Sequence, residues 1–119
     1  MLSNDRTAQL KGLHADKVAV ITGGSVGIGG ALGRLLALSG ARVLLAARSP
    51  GPLEELRARI VAELDAAGFS DPEGRVAVEA HCDVGNPVDM ERLVYRALTT
   101  FGHVDYLINN AGVVGCEEM

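Results

Sequence analysis

Lys17-Val-Ala-Val-Ile-Thr22 runs straight into Gly23-Gly-Ser-Val-Gly-Ile-Gly29, and this junction decides the fold. The first part is a short, β-branched apolar run, the pattern of a strand buried on both faces. After it, Ile28, Leu32, Leu35 and Leu36 recur at helical spacing, and Gly40 stands where such a helix would stop. A strand, a glycine turn and a helix in that order gather backbone N–H groups at the helix head, where the dipole is positive. The key glycines are spaced G-x-x-x-G-x-G, at Gly23, Gly27 and Gly29. Gly23 permits a sharp exit from the strand, and Gly27 lets the backbone approach a pyrophosphate. Gly30 and Gly33 let the helix pack tightly on a sheet, although glycine inside a helix costs about 1 kcal/mol each. The general spacing G-x-G-x-x-G does not fit, because starting from Gly27 and Gly29 its third position is Leu32. An ordinary flexible loop is the competing reading, and the strand before and helix after argue against it.

The rest of the chain repeats the alternation. Arg42-Val-Leu-Leu-Ala46 reads as a second buried strand, and Pro52 suits the first turn of the helix after it. Leu53, Leu56, Ile60, Leu64 and Ala67 give that helix one apolar face, ending at Gly68. Val76, Val78 and Ala80 alternate within Arg75–Ala80, a third strand. Asn86 caps a third helix and Pro87 begins it. Leu93, Val94, Ala97, Leu98 and Phe101 form its inner face, and Gly102 closes it. Val104–Ile108 is the fourth strand. This β-α-β-α-β-α-β order predicts an α/β, doubly wound parallel-sheet Rossmann fold with right-handed crossovers, the fourth strand lying beside the first. Residues 1–16 are expected to be a leader or linker and residues 17–119 an NAD(P)-binding domain, incomplete at its C-terminal side. Truncation after the fourth strand would leave an apolar open edge, which natural proteins avoid.

Composition narrows the function classes. The 119 residues are 48% hydrophobic, 22% charged and 3% aromatic, with a formal net charge of −4. That argues against a disordered tail and against a nucleic-acid binder, which would carry a basic face. No apolar run approaches the ~18 residues of a membrane span, and the start lacks the apolar core of a secretory signal. Cys82 and Cys116 are isolated, consistent with reduced thiols in a cytoplasmic protein. Glycine is in excess, 15 residues, six of them between Gly23 and Gly33. A local excess marks a site.

Thr22-Gly-Gly-Ser-Val-Gly-Ile-Gly29, then Cys82-Asp83-Val84, then Asn109-Asn-Ala-Gly112 resemble the short-chain dehydrogenase/reductase family, over about Lys17 to Gly112. The resemblance implies that Gly23, Ser25, Gly29 and the backbone of Val26, Gly27 and Ile28 surround the phosphates and ribose of a nicotinamide dinucleotide. It implies that Asp83 hydrogen-bonds the adenine amine beside the Val84 backbone, and that Asn110, Ala111 and Gly112 pass under the ribose and nicotinamide. Asp83 also reads as a simple turn residue, and Asn109 and Asn110 as ties between strand ends.

Cofactor choice follows from charge. A site for the unphosphorylated cofactor places Asp or Glu about 20 residues after the glycine loop, for the ribose 2′-OH. Here Ala47 holds that position, followed by Arg48 and Ser49. A guanidinium at 48 pairs with a 2′-phosphate through charge-assisted bonds, so NADP is the expected cofactor. Other such family members also carry a basic residue inside the glycine loop, where this chain has Val26, which would moderate the preference. A merely solvated Arg48 is the competing reading. His81-Cys82-Asp83 holds three metal-ligand types, but adjacent strand residues face opposite ways, so no metal is expected. His103 reads as a loop residue rather than a catalyst.

The family's chemistry uses a Ser, a further Asn and a Tyr-x-x-x-Lys pair, the ammonium lowering the tyrosine pKa so that it can donate a proton. Four residues after Tyr95 stands Thr99, and four after Tyr106 stands Asn110, so that pair is not in this sequence. No catalytic residue is therefore assigned; the catalytic half is expected beyond Met119, and the chain alone is expected to be inactive. Lys17–Arg48, especially GGALGRLLALSGARVLLAAR, with Val104–Gly112 (VDYLINNAG) and the Glu117-Glu118-Met119 end, is also similar to a reductase segment of the large bifunctional malonyl-CoA reductases. The expected whole is a reductase moving hydride between NADPH and a carbonyl or thioester, malonyl-CoA included. Its partners would be a small-molecule substrate and a homo-oligomer or longer chain, with no nucleic acid or membrane. A non-catalytic dinucleotide-binding or dimerising module is the alternative.

Overall fold

The computed structural model describes residues 12–23 and 27–110. Strands β1 (Val18–Thr22), β2 (Arg42–Ala46), β3 (Val76–Glu79) and β4 (Tyr106–Asn109) alternate with helices α1 (Gly27–Leu38), α2 (Pro50–Ala66) and α3 (Pro87–Phe101), and a 3₁₀ turn at Glu73–Arg75 leads into β3. The strands form one sheet in the order β3-β2-β1-β4, every pair parallel. The sequence order thus reverses between β1 and β4, as expected.

Alternation along the central strands splits the core into two layers. Ala19, Ile21, Val43 and Leu45 pack on one face with Ala37 of α1 and Leu53, Ile60 and Leu64 of α2. Val20, Leu44 and Ala46 face the other way, onto Leu93 and Ala97 of α3. The caps are as read: Asn86 Oδ1 accepts the Val88 N–H at 2.9 Å, and Gly102 closes α3 at φ 92°. A bidentate pair, Arg34 Nε to Glu63 Oε1 at 2.7 Å and Nη2 to Oε2 at 2.8 Å, ties α1 to α2.

Two helix faces differ from expectation. The buried residues of α1 are Gly29, Gly30, Gly33 and Ala37, while Ile28 is 78% and Leu35 44% exposed. A Cβ at Gly33 would lie 2.7 Å from Leu45 Cδ2, so α1 rests closely on the sheet at this glycine, as expected for Gly33. Of the apolar stripe, Leu32 and Leu36 are partly buried against the core beside the expected glycine contact, whereas Ile28 and Leu35 are not. In α3 the sheet contact is carried by Leu93 and Ala97, and Leu98 is exposed. Element bounds shift too: α2 begins at Pro50, with Ser49 as its N-cap position. The last strand starts late because Asp105 bridges to β1, its N–H donating to Val18 O at 2.9 Å and its Oδ2 accepting the Val18 N–H at 2.8 Å.

That bridge is pH-sensitive. The Val18 N–H, with His103 Nε2 at 2.9 Å, holds the Asp105 carboxyl below the usual carboxylate range. A depressed folded-state pKa adds stability that is full above the ordinary aspartate value and is lost as pH falls through the lowered one. Asp105→Asn should therefore flatten the loss of stability below about pH 4. Urea midpoints of the two proteins between pH 5 and pH 2.5 check this; parallel curves would remove Asp105 from the acid limb.

The two sheet edges are finished differently. On β3, Arg57 Nε donates to Val76 O at 2.8 Å and Arg96 Nη1 to Val78 O at 3.0 Å, so guanidinium groups cap edge carbonyls. Among the described residues β4 pairs with β1 alone, and Leu107 on it is 53% exposed. An uncapped apolar edge invites pairing. The 119-residue chain should elute above monomer size, and Leu107→Lys should shift it toward monomer. A wild-type monomer with strong hydrogen-exchange protection at residues 106–109 would contradict this.

Candidate functional site

The parallel strands all point their carboxyl ends the same way, and the residues singled out for binding follow those ends. Gly23 leaves β1, Arg48 and Ser49 follow β2, Asp83 and Val84 follow β3, and Asn110 follows β4. The place where strand order reverses, between β1 and β4, is where open α/β sheets receive ligands. Ser25, Val26, Ala111 and Gly112 lie outside the described residues.

At the switch point, backbones approach closely. Gly23 and Gly27 have φ of 66° and 61°, the left-handed region that glycine adopts freely. A Cβ on Gly29 would collide with the Gly23 carbonyl oxygen and stand 2.8 Å from Asn110 Nδ2. Asn110 Nδ2 donates to that same carbonyl at 3.3 Å, and Thr22 Oγ1 donates to Asn109 Oδ1 at 2.8 Å. The asparagines thus tie the end of β4 to the turn after β1. Around Gly27 the space for a Cβ is open, so glycine there serves conformation and access rather than packing. The first turn of α1, Gly27-Ile-Gly-Gly30, carries no acidic side chain to neutralise its positive end, and the Ile28 side chain is exposed. These features fit a phosphate-bearing ligand lying across the turn.

The second half of the site is built by prolonging the β2–β3 pairing. Ala47 N–H donates to Glu79 O at 3.2 Å, Cys82 N–H to Ala47 O at 3.1 Å, and His81 N–H to Arg48 O at 3.2 Å. His81 takes φ 60°, which turns the chain so that it stays exposed while Cys82 is buried. Arg48 and Asp83 then stand side by side, Nη2 to Oδ1 3.4 Å, both open to solvent. Ala47, at the position where a site for the unphosphorylated cofactor would place an acid, is buried. Ser49 is exposed and its side chain makes no cap bond.

Asp83 also fulfils the turn reading: its Oδ1 accepts the Gly85 N–H at 2.9 Å. The sequence reading missed Asp89, whose Oδ2 accepts the Asp83 N–H at 3.0 Å and whose Oδ1 takes Arg92 Nη2 at 3.1 Å. The signal was present, since Asp89 lies three residues after the Asn86 cap. Cys82 is a buried free thiol, its pKa pushed up first by burial, then by the Asp89 and Glu79 carboxylates. Among the described residues no group of three potential ligands could hold a metal, and no helix is long and apolar enough to cross a membrane.

Comparison with known proteins fits this geometry. The chain belongs to the short chain dehydrogenase family, whose profile matches residues 17–119. Among solved structures, the C-domain of a bacterial malonyl-CoA reductase, crystallised with NADP, matches with TM-score 0.85 and 49% identity, covering 87% of this chain and 16% of that one. A glucose dehydrogenase of Caenorhabditis elegans matches with TM-score 0.71 and 39% identity, covering 82% and 38%. Among curated relatives, a granaticin polyketide synthase putative ketoacyl reductase of Streptomyces violaceoruber is 43% identical, covering 87% of this chain and 35% of its own length. A fatty acyl-CoA reductase of Acinetobacter baylyi is 38% identical, covering 81% and 29%. The chain therefore spans about a third of the length of these relatives.

Proposed function

We propose that this chain is the NADP-binding portion of a short-chain reductase that moves hydride between NADPH and a carbonyl or thioester substrate. The carrying observation is the row of groups at the strand carboxyl ends: the close approach of Gly23, Gly29 and Asn110 at the head of α1 for the pyrophosphate, and Arg48 beside a buried Ala47 for a 2′-phosphate. The bound nicotinamide would supply the hydride; the residues here bind and orient. The first turn of α1 offers backbone N–H groups to phosphate, and Asn110, braced on Gly23, holds the floor under the ribose. Ala111 and Gly112 would continue that floor, and Ser25 and Val26 the phosphate loop.

The likeness to the malonyl-CoA reductase C-domain supports an acyl-CoA substrate, malonyl-CoA foremost. The relatives named for ketoacyl and fatty acyl-CoA groups point the same way. The test is a longer protein containing this chain, assayed for NADPH consumption with malonyl-CoA, a ketoacyl thioester and glucose. Faster turnover of malonyl-CoA supports the reading; turnover of glucose alone overturns the substrate assignment. The 119 residues alone should bind the cofactor without turnover, in the reducing cytoplasm that a buried free Cys82 suits.

A second reading, a non-catalytic dinucleotide-binding or dimerising module, is favoured by the β4 edge, which no other strand covers among the described residues, and its exposed Leu107. Downstream sequence separates the two. A continuing frame with a Ser and a Tyr-x-x-x-Lys supports the enzyme, and a stop without them supports the module.

A further inference from the structure

Arg48 and Asp83 were each read as touching the nucleotide, yet the fold brings them into contact with each other. Their backbones are locked side by side by the His81-to-Arg48 and Cys82-to-Ala47 hydrogen bonds. Asp83 is fixed: its N–H is held by Asp89 and its Oδ1 by the Gly85 N–H. Arg48 is the free member, its side chain 78% exposed against 51% for Asp83, and one Nη2 reaches Asp83 Oδ1 at 3.4 Å. That separation is the long end of a charge-assisted contact, so the guanidinium is held loosely and can be drawn away.

We propose that Asp83 and the 2′-phosphate compete for Arg48, so that Asp83 sets how strongly this site prefers the phosphorylated nucleotide. The inference rests on the nucleotide-binding reading above and goes beyond it, since it makes Asp83 a specificity residue acting through Arg48. Two effects act in the same direction. To present its planar fork to a phosphate, Arg48 must release or share the donor now on Asp83. A carboxylate beside the bound phosphate also repels it. With Asp83 in place the preference is moderated; without its charge the preference rises.

The experiment compares 2′,5′-ADP with 5′-AMP, two probes that differ in the 2′-phosphate and share the adenine. Any contact between Asp83 and adenine, and any general damage to the fold, weakens both probes together and cancels in their ratio. Titration calorimetry on the full chain gives that ratio for wild type, Asp83→Asn, Arg48→Ala and the double variant. Asparagine keeps an oxygen for the Gly85 N–H, so the turn is preserved.

Asp83→Asn should raise the preference for 2′,5′-ADP about two- to fivefold, the scale of an exposed ion pair. In the Arg48→Ala background the same change should have less than half that effect. An unchanged or lowered ratio, or an equal rise with and without Arg48, overturns the competition. Binding of neither probe to the wild-type chain overturns the nucleotide reading itself, and this inference with it.

Discussion

Gly29→Val should abolish nucleotide binding and lower stability, although it adds only an apolar side chain to an apolar helix. The new Cβ would meet the Gly23 carbonyl oxygen at a distance that real side chains do not tolerate, and that oxygen belongs to the backbone. Asn110 Nδ2, at 2.8 Å from the same Cβ, would be displaced and its bond to Gly23 lost. Overpacking of this kind costs about 1–3 kcal/mol, and the displaced turn is the one that would face the phosphates. Gly51→Ala is the control, because nothing lies within 4 Å of a Cβ there and its φ is not in the left-handed region. Thermal melts and NADPH titration of both variants measure the difference. Equal behaviour would mean that the tight approach of β1, α1 and β4 is unimportant to the site.

The second large effect is on cofactor choice. Arg48→Asp should reverse the preference between NADPH and NADH. It removes a charge-assisted pairing with the 2′-phosphate worth about 1.5–3 kcal/mol, roughly 10- to 150-fold in affinity. It also sets a second carboxylate beside Asp83, the present partner of Arg48. The residue lies just past the end of β2, where an acid would hydrogen-bond the ribose 2′-OH instead. The ratio of dissociation constants for the two cofactors reports the change. A ratio equal to that of the wild type would make Arg48 a solvated surface charge.

The fold was legible because each element carried its own local signal. Val18–Thr22 and Arg42–Ala46 read as buried strands because β-branched and aliphatic side chains fill both faces of a central parallel strand. Asn86, Pro87 and Gly102 marked both ends of α3 through capping chemistry that depends on near neighbours alone. The inner face of α1 was legible in part. Gly33 was readable as a close-packing position and Leu32 and Leu36 do pack on the core, but the exposure of Ile28 and Leu35 was not readable, because the crowding by Leu45 and Ile21 at Gly33 is a tertiary fact.

The site divides along the same line. Gly23, Gly27 and Gly29 were readable because a turn between strand and helix has few solutions in backbone space. Asp83 and Arg48 were each readable as strand-end residues with a charge. Their contact was not, since it depends on His81 adopting φ 60° and on the β2–β3 pairing continuing past both strands. Asp89 could have been singled out by its place three residues after the Asn86 cap, but its hold on the Asp83 N–H depends on how the preceding loop folds back, which spacing does not reveal.

The most direct test is a backbone amide spectrum of the 119-residue chain titrated with NADPH and, separately, NADH. Shifts should concentrate at Gly23, Gly27, Arg48, Asp83 and Asn110, the carboxyl ends of all four strands, with NADPH binding more tightly. No binding of either cofactor, or shifts confined to the opposite end of the sheet around Asp16, Gly40 and Phe69, would contradict the account.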